Sequence, residues 1–292
     1  MTGSVLIIGG SSGIGLAAAR RFAARGWTVT LAARSETALA RAATGLAGAR
    51  WQQVDVADRE SVRRLFTDCG PVDVVVHTAM VMAYGRIDEL DADVYRTVVR
   101  TGVEGSFHVA QAALAGFRSR GRGRLIMVNS LVGHIVSPQL GAYASAKWAQ
   151  LALIRTLQLE LRGEPGISVC SISPGGVNTP IYRQAANVTG RRPRPPMPVD
   201  QPDKVAAAIV HAAERPGRAP KEVSVGLANP LIRLGFGLLP KLYDVLVGPL
   251  LDRLSLLDRG AERTTGNVFA PVPGEEAERD RWTRRWSVSD RH

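Results

Sequence analysis

The side chains with the clearest chemical potential in this sequence are a tyrosine and a lysine in the stretch YASAK at 143–147. If the stretch is helical, the i, i+4 spacing places both side chains on one face of the helix. An ammonium group stabilises a phenolate, so we expect Lys147 to lower the pKa of Tyr143 from its usual value near ~10. A phenol tuned in this way can act as a general acid or base. The alternative is a solvent-exposed helix face, because this spacing also arises by chance.

A glycine-rich stretch near the start of the chain could bind a phosphate. The sequence IIGGSSGIG at 7–15 follows the first predicted strand and opens the first predicted helix, with glycines at positions 9, 13 and 15. In such a strand–turn–helix unit, glycines let the backbone approach a pyrophosphate at the positive N-terminus of the helix. The sequence therefore predicts a dinucleotide site at this loop rather than a plain tight turn.

The ends of the second and third predicted strands could select and hold the rest of a dinucleotide. An acidic residue at the end of the second strand would bind the ribose 2′-hydroxyl of NAD. Arg34 stands there instead, and a guanidinium suits the 2′-phosphate of NADP(H), with a solvated loop residue as the alternative. Asp55 closes the third strand, where it could accept a hydrogen bond from the adenine amino group or simply cap a turn.

Seven short β-branched or apolar runs alternate with alanine-rich helical segments at 13–26, 58–66 and 142–161. Several of the runs are almost entirely apolar, as in strands that are buried on both faces. The alternation predicts an α/β fold, a doubly wound, seven-stranded parallel sheet (Rossmann-type) with helices on both faces. The predicted strands are 4–9, 28–33, 51–56, 72–78, 124–130, 167–173 and 222–226.

Three other segments differ from this pattern in composition. Residues 183–202 are rich in arginine and proline, which predicts a mobile surface loop, with a P-x-x-P ligand for a partner as a compositional alternative. Residues 227–257 are leucine-rich, and prolines are expected to divide them into short helices. We expect this helical extension, within a single domain spanning 1–257, to cover the core or contact another subunit rather than bind a membrane. The polar stretch 258–292 predicts a loosely ordered tail.

Composition limits the classes of function. Of the 292 residues, 45% are hydrophobic and 22% charged, which is typical of a globular protein. The formal net charge of +11 is spread over arginines among many acidic residues, so it predicts no nucleic-acid binding. The histidines lack metal-ligand spacing, and two distant cysteines favour reduced thiols and a cytoplasmic location. Neither a signal peptide nor a membrane-spanning segment is predicted, which leaves peripheral membrane contact open.

Further residues place the tyrosine and lysine in a larger pattern. Ser130 ends the fifth predicted strand, thirteen residues before Tyr143, so the two can meet at the carboxyl edge of the sheet, where ligands bind in such folds. With the glycine loop and PGGVNTP at 174–180, these motifs occur in the order and spacing of the short-chain dehydrogenase/reductase family. The chain resembles the single-domain branch of that family over about residues 4–226.

This resemblance implies an NADP(H)-dependent alcohol dehydrogenase or carbonyl reductase that acts on a small-molecule carbonyl or alcohol, as a homo-oligomer (a dimer or tetramer). Tyr143 would be the general acid/base, and Ser130 would orient the substrate oxygen. Lys147 would lower the pKa of the phenol and hold the nicotinamide ribose. The predicted cofactor-binding residues are Gly9, Ser11, Ser12, Gly13, Ile14, Gly15, Arg34, Asp55, Val56, Tyr143, Lys147, Pro174, Gly175, Val177 and Thr179.

The chain departs from the family pattern at three places. The stretch HTAM at 77–80 stands where the family usually has Asn-Asn-Ala-Gly, and Ile8 replaces the first threonine of the glycine loop. Gly102 aligns with a helix asparagine that supports a proton-relay water, so the relay is expected to differ or to run more slowly. These departures favour the alternative function, a cofactor-binding scaffold or sensor with weak or no catalysis.

Overall fold

The structure, a computed structural model, describes residues 3–280 and contains one central sheet. Its strands are β1 (Ser4–Ile8), β2 (Thr28–Ala33), β3 (Arg50–Gln53), β4 (Val74–His77), β5 (Gly123–Val128), β6 (Ile167–Pro174) and β7 (Glu222–Val225). All neighbouring strands are parallel, in the order β3-β2-β1-β4-β5-β6-β7. The predicted Rossmann-type α/β fold is thereby confirmed.

The strands are uniformly apolar because helices cover both faces of the sheet. In β1, Val5 and Ile7 pack into one core cluster, whereas Leu6 and Ile8 pack into the other. All four side chains are fully buried. Alternate residues of a strand point to opposite faces, so a strand covered on both sides needs apolar residues at every position.

Two layers of helices enclose this sheet. One layer contains α1 (Gly13–Ala23), α2 (Glu36–Thr44) and α7 (Pro202–Glu214). The other contains α3 (Arg59–Cys69), α5 (Gly105–Arg118) and α6 (Gly141–Glu160). A further helix, α4 (Ala92–Val99), runs into α5 through a π-helical turn at Arg100–Glu104.

The segment 183–202 is not the mobile surface loop that its composition predicts. Its three short strands pair with other parts of the chain: Ala186–Asn187 with Ala83–Tyr84, Val199–Asp200 with Gly176–Val177, and Arg191–Pro193 with Leu256–Arg259. Two of its arginines bond within the chain, since Arg191 Nη2 donates to the Leu256 carbonyl and Arg194 Nε to the Leu254 carbonyl, both at 3.1 Å. Pro193 and Pro195 are buried, so the P-x-x-P motif is not displayed as a free ligand.

The leucine-rich extension forms two helices, α8 (Asn229–Leu238) and α9 (Pro240–Ser255). Pro240 begins α9, but Pro249 lies inside this helix, so the prediction that it divides the segment is wrong. Part of the extension lines the cavity described below, and much of its apolar surface faces solvent. Leu231 is 73% exposed and Val245 is 70% exposed, so α8 and α9 are not simply core cover. A contact between subunits stays a prediction.

The described part of the predicted tail, residues 258–280, packs against the domain. Thr264 exchanges two backbone hydrogen bonds with Asn187, at 2.8 and 3.0 Å. The side chain of Val268 is fully buried. The polar composition predicted a solvated, loosely ordered tail, but here the backbone groups pair with the domain. The remainder of that prediction, 281–292, lies outside the described residues.

Candidate active site

The carboxyl edge of the sheet borders an elongated cavity of about 500 Å³. Every residue that the sequence predicts for catalysis or cofactor binding lines this cavity. The structure therefore brings together motifs that are distant in the chain, because the carboxyl ends of parallel strands lie at one edge. One end of the cavity contains the glycine loop, and the other is bordered by α8 and α9.

The glycine loop has the geometry of a phosphate cradle. Gly9 and Gly13 have φ values of +85° and +51°, which favour glycine. A Cβ atom at Gly15 would collide with the backbone of Gly9. The first turn of α1 contains no acidic residue, so its N–H groups can face an anion. The loop thus fits the pyrophosphate of a dinucleotide.

The departure HTAM at 77–80 has a structural role beside this loop. Thr78 Oγ1 lies 3.0 Å from the Ile8 carbonyl and 3.1 Å from the Gly9 carbonyl, and donates to them. The threonine therefore holds the start of the glycine loop against the end of β4. The Thr78 hydroxyl thus adds a side-chain contact between β4 and the glycine loop to the backbone hydrogen bonds of the sheet.

Ser130, Tyr143 and Lys147 lie side by side in the centre of the cavity. Ser130 follows β5, and its Oγ accepts a hydrogen bond from the Val132 N–H at 3.2 Å. Tyr143 and Lys147 are one turn apart on α6, with Lys147 Nζ 5.7 Å from the centroid of the tyrosine ring. All three side chains are buried, so the alternative of a solvent-exposed helix face is excluded.

The pKa of Tyr143 changes in the direction opposite to the prediction. Burial raises the pKa of Tyr143 to about 12, and a hydrogen bond with Ser130 acts in the other direction. Burial also lowers the pKa of Lys147 to about 7, which reduces the charge available to stabilise a phenolate. The spacing of Tyr143 and Lys147 predicts that they lie close together. Their removal from water, however, disfavours the charged form of each side chain. The phenol is accordingly protonated at neutral pH.

A chain of buried polar groups leads away from Lys147. Its Nζ donates to the Val128 carbonyl at 2.8 Å and to Gln150 Oε1 at 3.1 Å. Gln150 Nε2 donates to Ser106 Oγ at 2.8 Å, and His77 Nε2 lies 3.2 Å from the same oxygen. Sequence reasoning missed Gln150, although it lies three residues after Lys147 and therefore on the same helix face. Ser106 lies in α5, and no sequence pattern around it indicates that it contacts Gln150.

Gly102 lies in the π-helical turn, where α6 packs closely against it. A Cβ atom at Gly102 would be 2.8 Å from Ala146 Cβ and 3.0 Å from Met80 Cε, closer than side chains normally approach. The Gly102 carbonyl accepts a hydrogen bond from Ser106 Oγ at 2.6 Å. This position therefore has no room for an asparagine unless Met80 or α6 moves.

Arg34 is partly buried and held by a distant part of the chain. Its guanidinium donates to the Asn267 carbonyl at 2.6 Å and to the Val268 carbonyl at 3.2 Å. Burial lowers the pKa of Arg34, and Asp55 opposes this shift. The arginine is thus not the solvated loop residue considered as an alternative. Asp55 Oδ1 accepts from the Ala57 N–H at 2.9 Å, so the turn-capping role predicted as its alternative is present.

Residues 264–280, called the C-terminal strap below, also reach the glycine loop. The Gly13 N–H donates to the Ala277 carbonyl at 2.9 Å. Glu276 lines the cavity, and both of its carboxylate oxygens are buried without a hydrogen-bond partner among the described residues. Sequence reasoning missed these contacts because a polar segment so far along the chain has no pattern that indicates where it packs.

The other end of the cavity is apolar. Tyr143 packs in a buried cluster with Met82, Leu140 and Tyr182, and burial raises the pKa of Tyr182 above its ordinary value. Leu242 of α9 also lines this end. The phenols of Tyr84 and Tyr182 also lie near Tyr143, so a molecule bound here would meet hydroxyl groups as well as apolar side chains.

Two further properties concern residues 3–280. No group of three or more histidine, cysteine, aspartate or glutamate side chains in this range could hold a metal ion. Within the same range, no helix combines the length and apolar character needed to cross a bilayer.

The sheet order and the glycine loop at the N-terminus of α1 define a dinucleotide-binding α/β protein. Comparison with known protein families narrows this class to one family. The sequence model of the short chain dehydrogenase family matches residues 4–188. This chain belongs to the short-chain dehydrogenase family of oxidoreductases.

Individual relatives are similar over most of the chain. The uncharacterized oxidoreductase YxnA of Bacillus subtilis (strain 168) is 31% identical over 270 residues, covering 89% of this chain and 74% of YxnA. An acetoacetyl-CoA reductase of Shinella zoogloeoides is 29% identical over 224 residues, covering 73% of this chain and 91% of the reductase. The structure of an alcohol dehydrogenase from Thermococcus sibiricus, complexed with 5-hydroxy-NADP, has a TM-score of 0.67 and 28% identity, covering 77% of this chain and 96% of that one.

Proposed function

We propose that this protein transfers a hydride between NADP(H) and a carbonyl or secondary alcohol, with Tyr143 as the general acid/base. One observation carries this proposal: the Tyr143 phenol is buried, bonded to Ser130 and beside Lys147, in the same cavity as the glycine loop. A phenol with a pKa of about 12 is a proton donor at neutral pH. That property suits the reduction of a carbonyl, which needs a proton on its oxygen.

Each side chain has a separate task in this reaction. When bound, the nicotinamide cofactor supplies or accepts the hydride. Tyr143 donates its proton to the alkoxide oxygen that forms at the carbonyl carbon, and takes the proton back in the reverse direction. Ser130 orients the same oxygen. Lys147 would hold the nicotinamide ribose, while Gln150 and the Val128 carbonyl fix the position of its Nζ.

Arg34 supports NADP(H) over NAD(H), because it stands where an acidic residue would repel the 2′-phosphate. The Thermococcus sibiricus enzyme, complexed with 5-hydroxy-NADP, agrees with this choice. Two of the guanidinium nitrogens already donate to carbonyls of the C-terminal strap. A guanidinium has five N–H groups, so others remain for a phosphate.

The apolar end of the cavity supports a hydrophobic carbonyl or alcohol as substrate. Met82, Leu140 and Leu242 line this end, and Tyr143 faces it. The exposed apolar surface of α8 and α9 supports assembly as a homo-oligomer. The free thiols of Cys69 and Cys170, whose pKa values burial raises to about 11 and about 12, support a reducing compartment such as the cytoplasm.

The second candidate is a cofactor-binding scaffold or sensor, and the closed packing at Gly102 is the observation that favours it. The test is a panel of hydrophobic ketones and alcohols, assayed by NADPH oxidation or NADP reduction. Tyr143→Phe should lose roughly 10²–10⁴-fold in kcat while its cofactor affinity stays unchanged. Tyr95→Phe, at an exposed tyrosine of α4, is the matched control and should behave as wild type.

Two results would contradict the proposal. Near-normal kcat in Tyr143→Phe on the best substrate would remove the tyrosine from the mechanism. Tight NADPH binding with no turnover on any member of the panel would favour the scaffold.

A further inference from the structure

The C-terminal strap lies across the part of the cavity where the glycine loop would hold a pyrophosphate. We propose that the distal strap, residues 269–280, is an internal competitor of the dinucleotide. In its closed position it uses the loop's own hydrogen-bond donor, and the cofactor binds after this segment lifts away. The inference rests on the proposed function only in that the cavity binds a nicotinamide dinucleotide.

The first argument is the hydrogen bond between the loop and the strap. The Gly13 N–H opens α1 and donates to the Ala277 carbonyl at 2.9 Å. N–H groups in the first turn of a helix have no partner within the helix, and they are the donors that bind phosphate at such loops. In the closed position a backbone carbonyl of the strap takes the place of a phosphate oxygen. A pyrophosphate and Ala277 cannot occupy this site together.

The second argument is the charge of the neighbouring residue. Both carboxylate oxygens of Glu276 are buried in the cavity without a hydrogen-bond partner among the described residues. A buried carboxylate without a partner is unfavourable, so the closed strap is poised to open. The same carboxylate would repel the negative charges of a pyrophosphate. Closure and cofactor binding therefore oppose each other.

The third argument is that the two parts of the strap are held differently. The proximal part, 264–268, has two backbone hydrogen bonds between Thr264 and Asn187, and the buried side chain of Val268. It stays in place and keeps its carbonyls on Arg34. The distal part is held instead by polar contacts to two partly exposed arginines, Arg20 and Arg183, and salt weakens such pairs.

These tethers are ion pairs and hydrogen bonds, several of them made by Arg183, which pairs with Asp280 at 3.2 Å and donates from Nη2 to the Glu275 carbonyl at 3.2 Å. Arg183 pairs with Glu275 at 2.9 Å, and Arg20 pairs with Glu278 at 3.0 Å. Gln184 Nε2 donates to the Glu275 carbonyl at 3.0 Å. Gly274, with φ at +79°, lies inside the distal strap just before its tethered residues, in a backbone conformation that favours glycine. Opening therefore breaks these polar contacts and the hydrogen bond between the Gly13 N–H and the Ala277 carbonyl.

The test measures the dissociation constant of NADPH by fluorescence titration of the full chain. Glu276→Gln removes the repulsive charge and keeps the shape, and Arg183→Ala removes a tether. Both should bind NADPH about fivefold more tightly than wild type, or better. Glu262→Gln, at an exposed position outside the strap, is the matched control and should leave the affinity unchanged.

Hydrogen–deuterium exchange of residues 269–280 then tests the motion directly. Saturating NADPH should accelerate exchange in this segment and leave 264–268 protected. Slower exchange, or weaker NADPH binding by Glu276→Gln, would overturn the proposal, because the strap would then clasp the cofactor. Unchanged affinity in both variants would overturn it as well. In either case NADPH still binds and the proposed function stands, whereas no binding by any variant would overturn both.

Discussion

Replacing Lys147 with methionine should change the stability of the fold by an amount that depends on pH. Lys147 is 3% exposed, and burial lowers its pKa from 10.5 to about 7. Between these two values the unfolded chain carries a proton on this amine that the folded chain lacks, so stability falls as the pH decreases through that window. Above the window the amine is neutral in both states, and below it the full cost is present.

The size of this effect follows from the two pKa values. Proton linkage between a pKa of 10.5 and one of about 7 gives a cost on the order of 4–5 kcal/mol at pH 6.5 and on the order of 1 kcal/mol at pH 9.5. Methionine removes this cost, but it also removes one hydrogen-bond donor from the Val128 carbonyl and one from Gln150 Oε1, which keeps Asn129 Nδ2 as a donor at 3.1 Å. That loss is about 1–3 kcal/mol per group and does not change with pH. Relative to wild type, Lys147→Met should therefore gain roughly 3 kcal/mol between pH 9.5 and pH 6.5.

The assay is urea unfolding followed by circular dichroism, for wild type and Lys147→Met at pH 6.5, 8.0 and 9.5. Lys241→Met, at an exposed lysine of α9, is the control and should show no such pH-dependent difference. If the free-energy difference between Lys147→Met and wild type were the same at every pH, the buried-amine reasoning would be refuted. A difference that grows toward high pH would refute its sign.

Two further predictions concern the cofactor and the support of Lys147. Wild type should bind NADPH roughly tenfold or more tightly than NADH, because a charge-assisted contact to the 2′-phosphate is worth ~1.5–3 kcal/mol. Arg34→Ala should remove this preference. Equal affinities of wild type for NADPH and NADH, measured by fluorescence, would contradict the prediction. Gln150→Leu deletes one of the two acceptors of Lys147 Nζ and the donor to Ser106, so kcat should fall and its pH profile should shift, while Gln150→Glu should retain more activity. An unchanged profile in Gln150→Leu would show that the glutamine only packs.

Much of the cofactor side of this molecule could be predicted because its signals are local. Glycines at 9, 13 and 15 lie between a strand and a helix, and Ser130 lies at the end of a strand. The ends of parallel strands meet at one edge whatever the distance along the chain, so the strand pattern alone brings these residues together. The glycine loop and Ser130 line one cavity because both follow strands of the same parallel sheet.

Other features could not be predicted because they depend on packing between distant segments. The Ala277 carbonyl at the glycine loop belongs to a polar stretch that resembles a solvated tail. Arg194 lies in a segment whose composition predicts a surface loop, but it donates to the Leu254 carbonyl near the end of α9. The raised pKa of Tyr143 comes from burial, and a sequence shows how close Lys147 lies but not how little water reaches either group.

The two buried faces of β1 raise a question of strand alignment. Because both faces of β1 are apolar from Val5 to Ile8, the alternation of polar and apolar residues within that stretch does not set its register against β4. Polar contacts at the N-terminal ends of β1 and β4 set this register instead. The Ser4 N–H and Oγ both donate to Asp73 Oδ2 at 3.0 Å, and the Asp73 N–H donates to Ser4 Oγ at 3.1 Å. The alignment of Thr78 with the glycine loop is thus set by a serine and an aspartate about 15 Å away, at the opposite edge of the sheet.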